Sequence, residues 1–159
     1  MLLRRFMGYY KPYLGIFTLY MLASVMIALI GMTYPIFTRK MLNLYIPEKM
    51  YSNIVSAGLI VLGLYVVRTF LRYYVQYQGH MMGTYMQADM RSELFCHLEK
   101  LPFSFYDNHE TGRIMSRMTS DLFEVVELAH HGPENLITCS MMIILSFSYL
   151  CSINVWLTL

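Results

Sequence analysis

From Pro12 to Thr38 the chain carries no Asp, Glu, Lys or Arg. As a helix that stretch is about 40 Å long at 1.5 Å per residue, more than the roughly 30 Å of a bilayer's hydrocarbon core. No other feature constrains the fold so strongly. A run like this either crosses a membrane or hides inside a large core. A chain of 159 residues that is 57% hydrophobic and only 14% charged has too little polar surface to cover such a core in water. Within lipid each backbone polar group must be bonded inside its own segment, which dictates helix. The expected class is an all-α, polytopic membrane domain.

Two further runs fit this reading, and the spans are placed at about 12–38, 50–77 and 135–159. The first has no small-residue cleavage site around Tyr34-Pro35, so it reads as a retained span and not a signal peptide. The second is free of charge from Met50 to Val67 and then carries Arg68 and Arg72, one helical turn apart. These arginines either snorkel to lipid phosphates or line a cavity that attracts an anionic head group, and snorkelling is the favoured expectation. The third run, Asn135 to Leu159, meets the end of the sequence without a helix stop, so a longer natural protein is expected. Arg4, Arg5 and Lys11 precede the first span and Arg68 and Arg72 lie toward the far end of the second, opposed by Arg39, Lys40 and Lys49. The positive-inside rule then gives a cytoplasmic N-terminus in the cell membrane.

Charge and cysteine content exclude other classes. Twelve Lys and Arg against ten Asp and Glu leave a net charge of +2, which argues against a nucleic-acid partner. Cys96, Cys139 and Cys151 form no C-x-x-C pair and read as buried thiols within helices, not as disulfides or zinc ligands.

The polar stretch at about 78–134 reads as two long helices, predicted to extend the second and third spans into the cytoplasm as a hairpin. Met90, Leu94, Leu98 and Leu101 predict one apolar stripe, ended by Pro102, and Ile114, Met118, Leu122, Val126 and Ala129 predict the other. Gly79-x-x-x-Gly83 permits close helix packing. Arg117 and Asp121 are spaced for an i,i+4 ion pair. At the tip, Asp107 and Glu110 have the spacing of a capping box, and Gly112 is placed to end the short helix they would start. Phe103, Phe105 and Tyr106 give the tip an aromatic surface, with Tyr106 the better contact candidate.

The order Gly79-His80-x-Met82-Gly83, Asp89-Met90-Arg91, Leu94-Phe95, His97-Leu98 and Leu101-Pro102-Phe103-Ser104-Phe105 resembles the type I ABC exporter family. The likeness continues through Tyr106-Asp107-Asn108, Thr111-Gly112, Ser116-Arg117, Asp121-Leu122 and the run from Glu127 to Glu134. It is nearest to bacterial half-transporters of the multidrug and lipid type. The resemblance implies that about His109 to Met115 is a coupling helix. Tyr106, Asp107, His109, Glu110, Thr111, Gly112 and Arg113 would then touch a nucleotide-binding domain whose closure on ATP and magnesium drives alternating access. It also implies a second half-transporter, identical or related, and a lipid surround. This chain has no G-x-x-x-x-G-K-[ST] phosphate loop, so ATP binding and hydrolysis are expected in a nucleotide-binding domain outside it, and no cofactor is expected in the chain itself.

Two other classes stand beside this one. A membrane scaffold or receptor that docks a soluble signalling protein through the hairpin, without transport, fits the hairpin geometry equally well. A metalloenzyme would use Glu127, His130, His131 and Glu134, spaced i, i+3, i+4 and i+7. No second ligand cluster is visible in the sequence and His-Gly-Pro suits a helix kink, so no metal is expected. Asp107, His109 and Glu110 lack a nucleophile, and no catalytic residue is assigned.

Overall fold

A computed structural model describes the backbone of residues 2–158 and the side chains of residues 5–158. Leu159, the last residue of the third predicted span, and the side chain of Arg4 lie outside the described residues. All regular structure among the described residues is helical: α1 (Leu2–Gly8), a 3-10 turn (Lys11–Tyr13), α2 (Leu14–Gly31), α3 (Thr33–Lys40), a π-turn (Met41–Tyr45), α4 (Tyr51–Leu98), α5 (Phe103–Asp107), α6 (Thr111–Ser116), a second π-turn (Arg117–Asp121), α7 (Leu122–Ile153) and α8 (Val155–Thr158). Three helical stretches, Arg5–Tyr45, Tyr51–Leu98 and Thr111–Ile153, are long and apolar enough to cross a membrane. The chain packs as two compact units.

One unit comprises Tyr20–Gln76 and Glu134–Leu159. The break between α2 and α3 falls at Met32, because the ring of Pro35 displaces the carbonyl of Gly31 four residues earlier. The Met32 amide is shared between Ala28 and Leu29 carbonyls at 3.3 and 3.1 Å. The hydroxyls of Ser24, Thr38 and Thr69 donate back to the carbonyls of Tyr20, Tyr34 and Tyr65, which satisfies them where water is absent. Lys49, the one non-glycine residue with positive φ among those described (54°), ends the π-turn segment before α4. Small residues Ala23, Ser24 and Ala28 are buried, as membrane helix contacts require. Most large apolar side chains of α4 and α7 in this unit, among them Leu59, Leu62, Phe70, Ile143 and Ile144, are exposed.

The other unit comprises Met1–Leu19 and Tyr77–Pro133. Its core is a seam where Gly79 and Gly83 of α4 lie against Val126 and His130 of α7, and Met82, Met86 and Met90 of α4, Met118 of the π-turn and Leu122, Val126 and Ala129 of α7 are buried. The predicted second stripe is buried from Met118 onward. The first needs correction: Met90 is buried, but Leu94 is exposed, and the seam runs instead back through Met86 and Met82. The buried thiols expected of the cysteines also need correction: Cys96 and Cys139 are exposed and Cys151 is half-buried, because they fall on the outward faces of their helices. Arg117 and Asp121 make no ion pair within 4.0 Å; both lie in the π-turn, whose wider winding removes the i,i+4 alignment.

Candidate functional site

At the turn between the long helices, α4 ends at Leu98 and the amides of Lys100 and Leu101 bond back to His97 and Leu98 at 3.2 and 2.9 Å. Pro102 then adopts an extended conformation (ψ 155°) as the N-cap of α5. The Tyr106 hydroxyl donates to the Leu98 carbonyl at 2.7 Å, tying α5 to the end of α4. His109 stacks on Phe105 at 4.1 Å and its Nδ1 donates to the Phe105 carbonyl at 2.8 Å. Asn108 donates to Ser104 at 2.8 Å. Phe103, at 90% exposure, is the uncovered ring of the tip.

The predicted capping box does not form. Asp107 closes α5, and α6 starts after Glu110, which is extended (ψ 115°) and makes no side-chain cap. Gly112 does not end a helix: no glycine among the described residues has positive φ, and α6 continues through Gly112 to Ser116 and then into the π-turn. The segment from Pro102 to Ser116 is thus two short helices joined at 108–110. Asp107, His109, Glu110, Thr111, Gly112 and Arg113 are all exposed, and Tyr106 is half-buried. Arg91 Nε donates to the Met118 carbonyl at 3.4 Å, fastening the π-turn to α4.

In the other unit Arg68 packs against neighbouring helices. Its guanidinium lies 3.5 Å from where a Cβ on Gly31 would stand, a position also 4.0 Å from Met142, and it stacks over Tyr65 at 5.2 Å. Its buried Nε has no hydrogen-bond partner among the described residues. Arg72 is exposed.

Sequence reasoning missed the attachment of the N-terminal segment to the hairpin, because its partners lie more than 70 residues away. Arg5 and Tyr9 both bond to the Glu93 carboxylate. The Tyr13 hydroxyl donates to Asp89 at 2.7 Å, and its ring stacks on Tyr85 at 5.8 Å. Tyr10 is buried and donates to the carbonyl of Ala129 at 2.5 Å. That carbonyl is the one a residue-133 amide would take in an unbroken helix, and position 133 is proline. The tyrosine therefore supplies the donor that the proline withholds.

The Tyr9 hydroxyl and then the Arg5 guanidinium hold Glu93 below the usual carboxylate range, while the same carboxylate raises Tyr9. Glu93 ionises more readily here than in an unfolded chain, so its contribution is present above the ordinary glutamate value, about 4.3, and is lost as pH falls through the lowered one. Tyr9 loses its proton less readily, so its contribution holds below the ordinary value of about 10 and is lost as pH rises through the raised one. Amide exchange in α1, corrected for intrinsic rates, is expected to be slow at pH 7 and to accelerate below about pH 4. Glu93→Gln should show the fast rate already at pH 7; equal protection in both proteins at pH 7 would remove Glu93 from this role.

Deeper in the seam, His130 is buried in a notch formed by Gly79 and Gly83 of α4. A Cβ on Gly79 would stand 3.4 Å from His130 Cδ2, and one on Gly83 3.2 Å from its Nδ1. Burial pushes the His130 imidazole down from its ordinary value, so it is neutral at pH 7. His80 of α4 packs edge-on against His130 and His131, with ring centroids at 4.8 and 5.6 Å. The Glu127 carboxylate lies 3.9 Å from His80 Nδ1 and 3.5 Å from His131 Nε2. His80 thus joins His130 and His131 from the facing helix, a neighbour that spacing within residues 127–134 does not reveal.

Residues 17–159 match the ABC transporter transmembrane region. The chain is 37% identical over 153 residues to the uncharacterized ABC transporter ATP-binding protein YwjA of Bacillus subtilis, which covers 96% of this chain and 27% of that protein. It is 29% identical over 156 residues to YknU of the same organism, with 98% and 27% covered. An ATP-dependent lipid A-core flippase of Chromobacterium violaceum is 27% identical over 124 residues, with 78% and 21% covered. The chain belongs to the ABC transporter transmembrane region family and is part of a multi-pass membrane protein. It spans about a quarter of the length of the curated relatives it matches.

Proposed function

We propose that the chain is the N-terminal part of the membrane domain of an ATP-driven exporter, working as one half of a dimer. The observation that carries this reading is the exposed helix Thr111–Ser116 at the turn between two long helices that each continue into an apolar segment. Nucleotide-binding domains, holding ATP and magnesium, would close beneath that helix. Their displacement would pass along α4 and α7 to a substrate pathway between the two halves, giving alternating access. Coupling contacts are assigned to Glu110, Thr111, Gly112 and Arg113, with Asp107 and His109 beside them and Tyr106 holding the tip to α4. The exposed apolar faces of α4 and α7 suit lipid and further helices of the same domain. Arg68, turned inward, suits an anionic group in the pathway better than a lipid phosphate, and Arg72 suits the lipid phosphates.

This reading needs the tip in the cytoplasm of the cell, on the same side as the N-terminus. With Cys96, Cys139 and Cys151 replaced by Ser, a cysteine at Asn108 is expected to react with an impermeant maleimide only from the cytoplasmic side, and one at Asn43 only from outside. The reverse pattern would put the tip out of reach of any ATP-driven domain and end the proposal.

A further inference from the structure

Four side chains with metal-binding atoms converge at the α4–α7 seam. One nitrogen from each of His80, His130 and His131 lies within 4.8 Å of the others, and Glu127 sits between His80 and His131. A four-coordinate cation with metal–nitrogen bonds of about 2.0–2.1 Å sets its ligand atoms roughly 3.3 Å apart, so the cluster needs to contract by about 1–1.5 Å. His80 is exposed and can make most of that movement by side-chain rotation.

Two features favour ligation over ring packing alone. His130 Nδ1 donates to the Val126 carbonyl at 3.3 Å, which fixes the tautomer and leaves the electron pair on Nε2. Metal-bound histidines are commonly held this way by a backbone carbonyl. The ligands also come from two helices, with Glu127, His130 and His131 on one turn of α7 and His80 on α4, so a bound ion would cross-link the seam.

We propose that His80, His130 and His131, with Glu127, form a binding site for a divalent transition cation of the zinc class that clamps α4 to α7. Three imidazoles and a carboxylate suit zinc, cobalt, nickel or copper; magnesium and calcium prefer all-oxygen sets. The inference is independent of the transport reading, since it concerns only this seam.

The test uses the protein in the longest form its reading frame encodes, purified in detergent, stripped with chelator and free of nucleotide. Zinc is titrated in competition with a chromophoric chelator, and cobalt is followed by its visible absorption. The wild type is expected to take one ion per chain, to give the intense bands of four-coordinate cobalt and to unfold at a higher temperature with zinc. His80→Ala, at an exposed position, should fold normally yet lose more than about 100-fold in zinc affinity, beyond the roughly 10- to 100-fold that loss of an outer-shell partner costs. It should also lose the thermal shift. Replacing His97 and His109 by Ala, outside the cluster, should change neither. Binding of less than one ion, or zinc affinity and thermal shift unaltered in His80→Ala, would overturn the site.

Discussion

Exchanging the charges of Glu110 and Arg113, as Glu110→Lys with Arg113→Glu, is expected to lower ATP-driven transport at least about tenfold while insertion and expression stay at wild-type levels. Both residues are exposed, and the pair of changes leaves the net charge of the tip unaltered. Losing a glutamate at the start of α6 costs the isolated helix only about 0.3–1 kcal/mol, and few other contacts hold these two side chains. A like-charge juxtaposition across a docked interface costs several kcal/mol, and each 1.4 kcal/mol is about tenfold. The charge exchange is cleaner than removing Tyr106, whose hydroxyl closes α5 onto Leu98, so that its loss would loosen the tip as well as any contact. The measurement is efflux of a fluorescent dye or lipid from inverted vesicles, with substrate-stimulated ATPase alongside. If both match wild type, the tip is only a turn.

Tyr10→Phe is expected to destabilise the N-terminal attachment by about 1–3 kcal/mol, the cost of leaving a buried carbonyl without a donor. Tyr10 and Ala129 are 6% and 1% exposed, so water does not reach them to compensate. The same substitution should be nearly silent in a Pro133→Ala background, because an alanine amide at 133 takes the Ala129 carbonyl itself. Thermal or denaturant unfolding of the four proteins gives the coupling directly, and the expected interaction energy is about the full cost of the single change. Equal costs in both backgrounds would mean that the hydrogen bond is incidental to Pro133.

The all-helical class and the presence of two long helices flanking a tip were legible because they rest on charge-free runs and a 3.6-residue period, which are local properties. The second stripe was legible for the same reason. What escaped were features that depend on a partner far along the chain. His80 carries no metal signature at its own position and becomes a candidate ligand only when α4 lies on α7. Tyr10 reads as one aromatic among many until Pro133 leaves a carbonyl to be filled. Met82 and Met86 lie N-terminal to the stripe read from Met90 to Leu101, and their burial depends on where α7 lies against α4. At the tip, Asp107 and Glu110 had the right spacing for a cap but the wrong backbone, since the extended residue is Glu110 and Asp107 is still helical. Capping depends on where the chain leaves the helix, and three residues of spacing do not specify that.

The two long helices differ in how they take a load. A helix stiffens through its ladder of backbone hydrogen bonds, and α4 carries that ladder from Tyr51 to Leu98 with no proline in its length. Its counterpart is rewound at 117–121 and lacks a rung at Pro133, where a tyrosine from outside the helix stands in for the missing amide. Bending is cheapest where the ladder is already interrupted. Under the same force α4 behaves as a strut and α7 as a jointed arm, with one joint near the tip and the other held by the N-terminal segment. That segment grips α4 only through the side chains of Asp89 and Glu93, but it grips α7 through the backbone carbonyl of Ala129, so its release would open a rung in α7 and leave the backbone ladder of α4 closed.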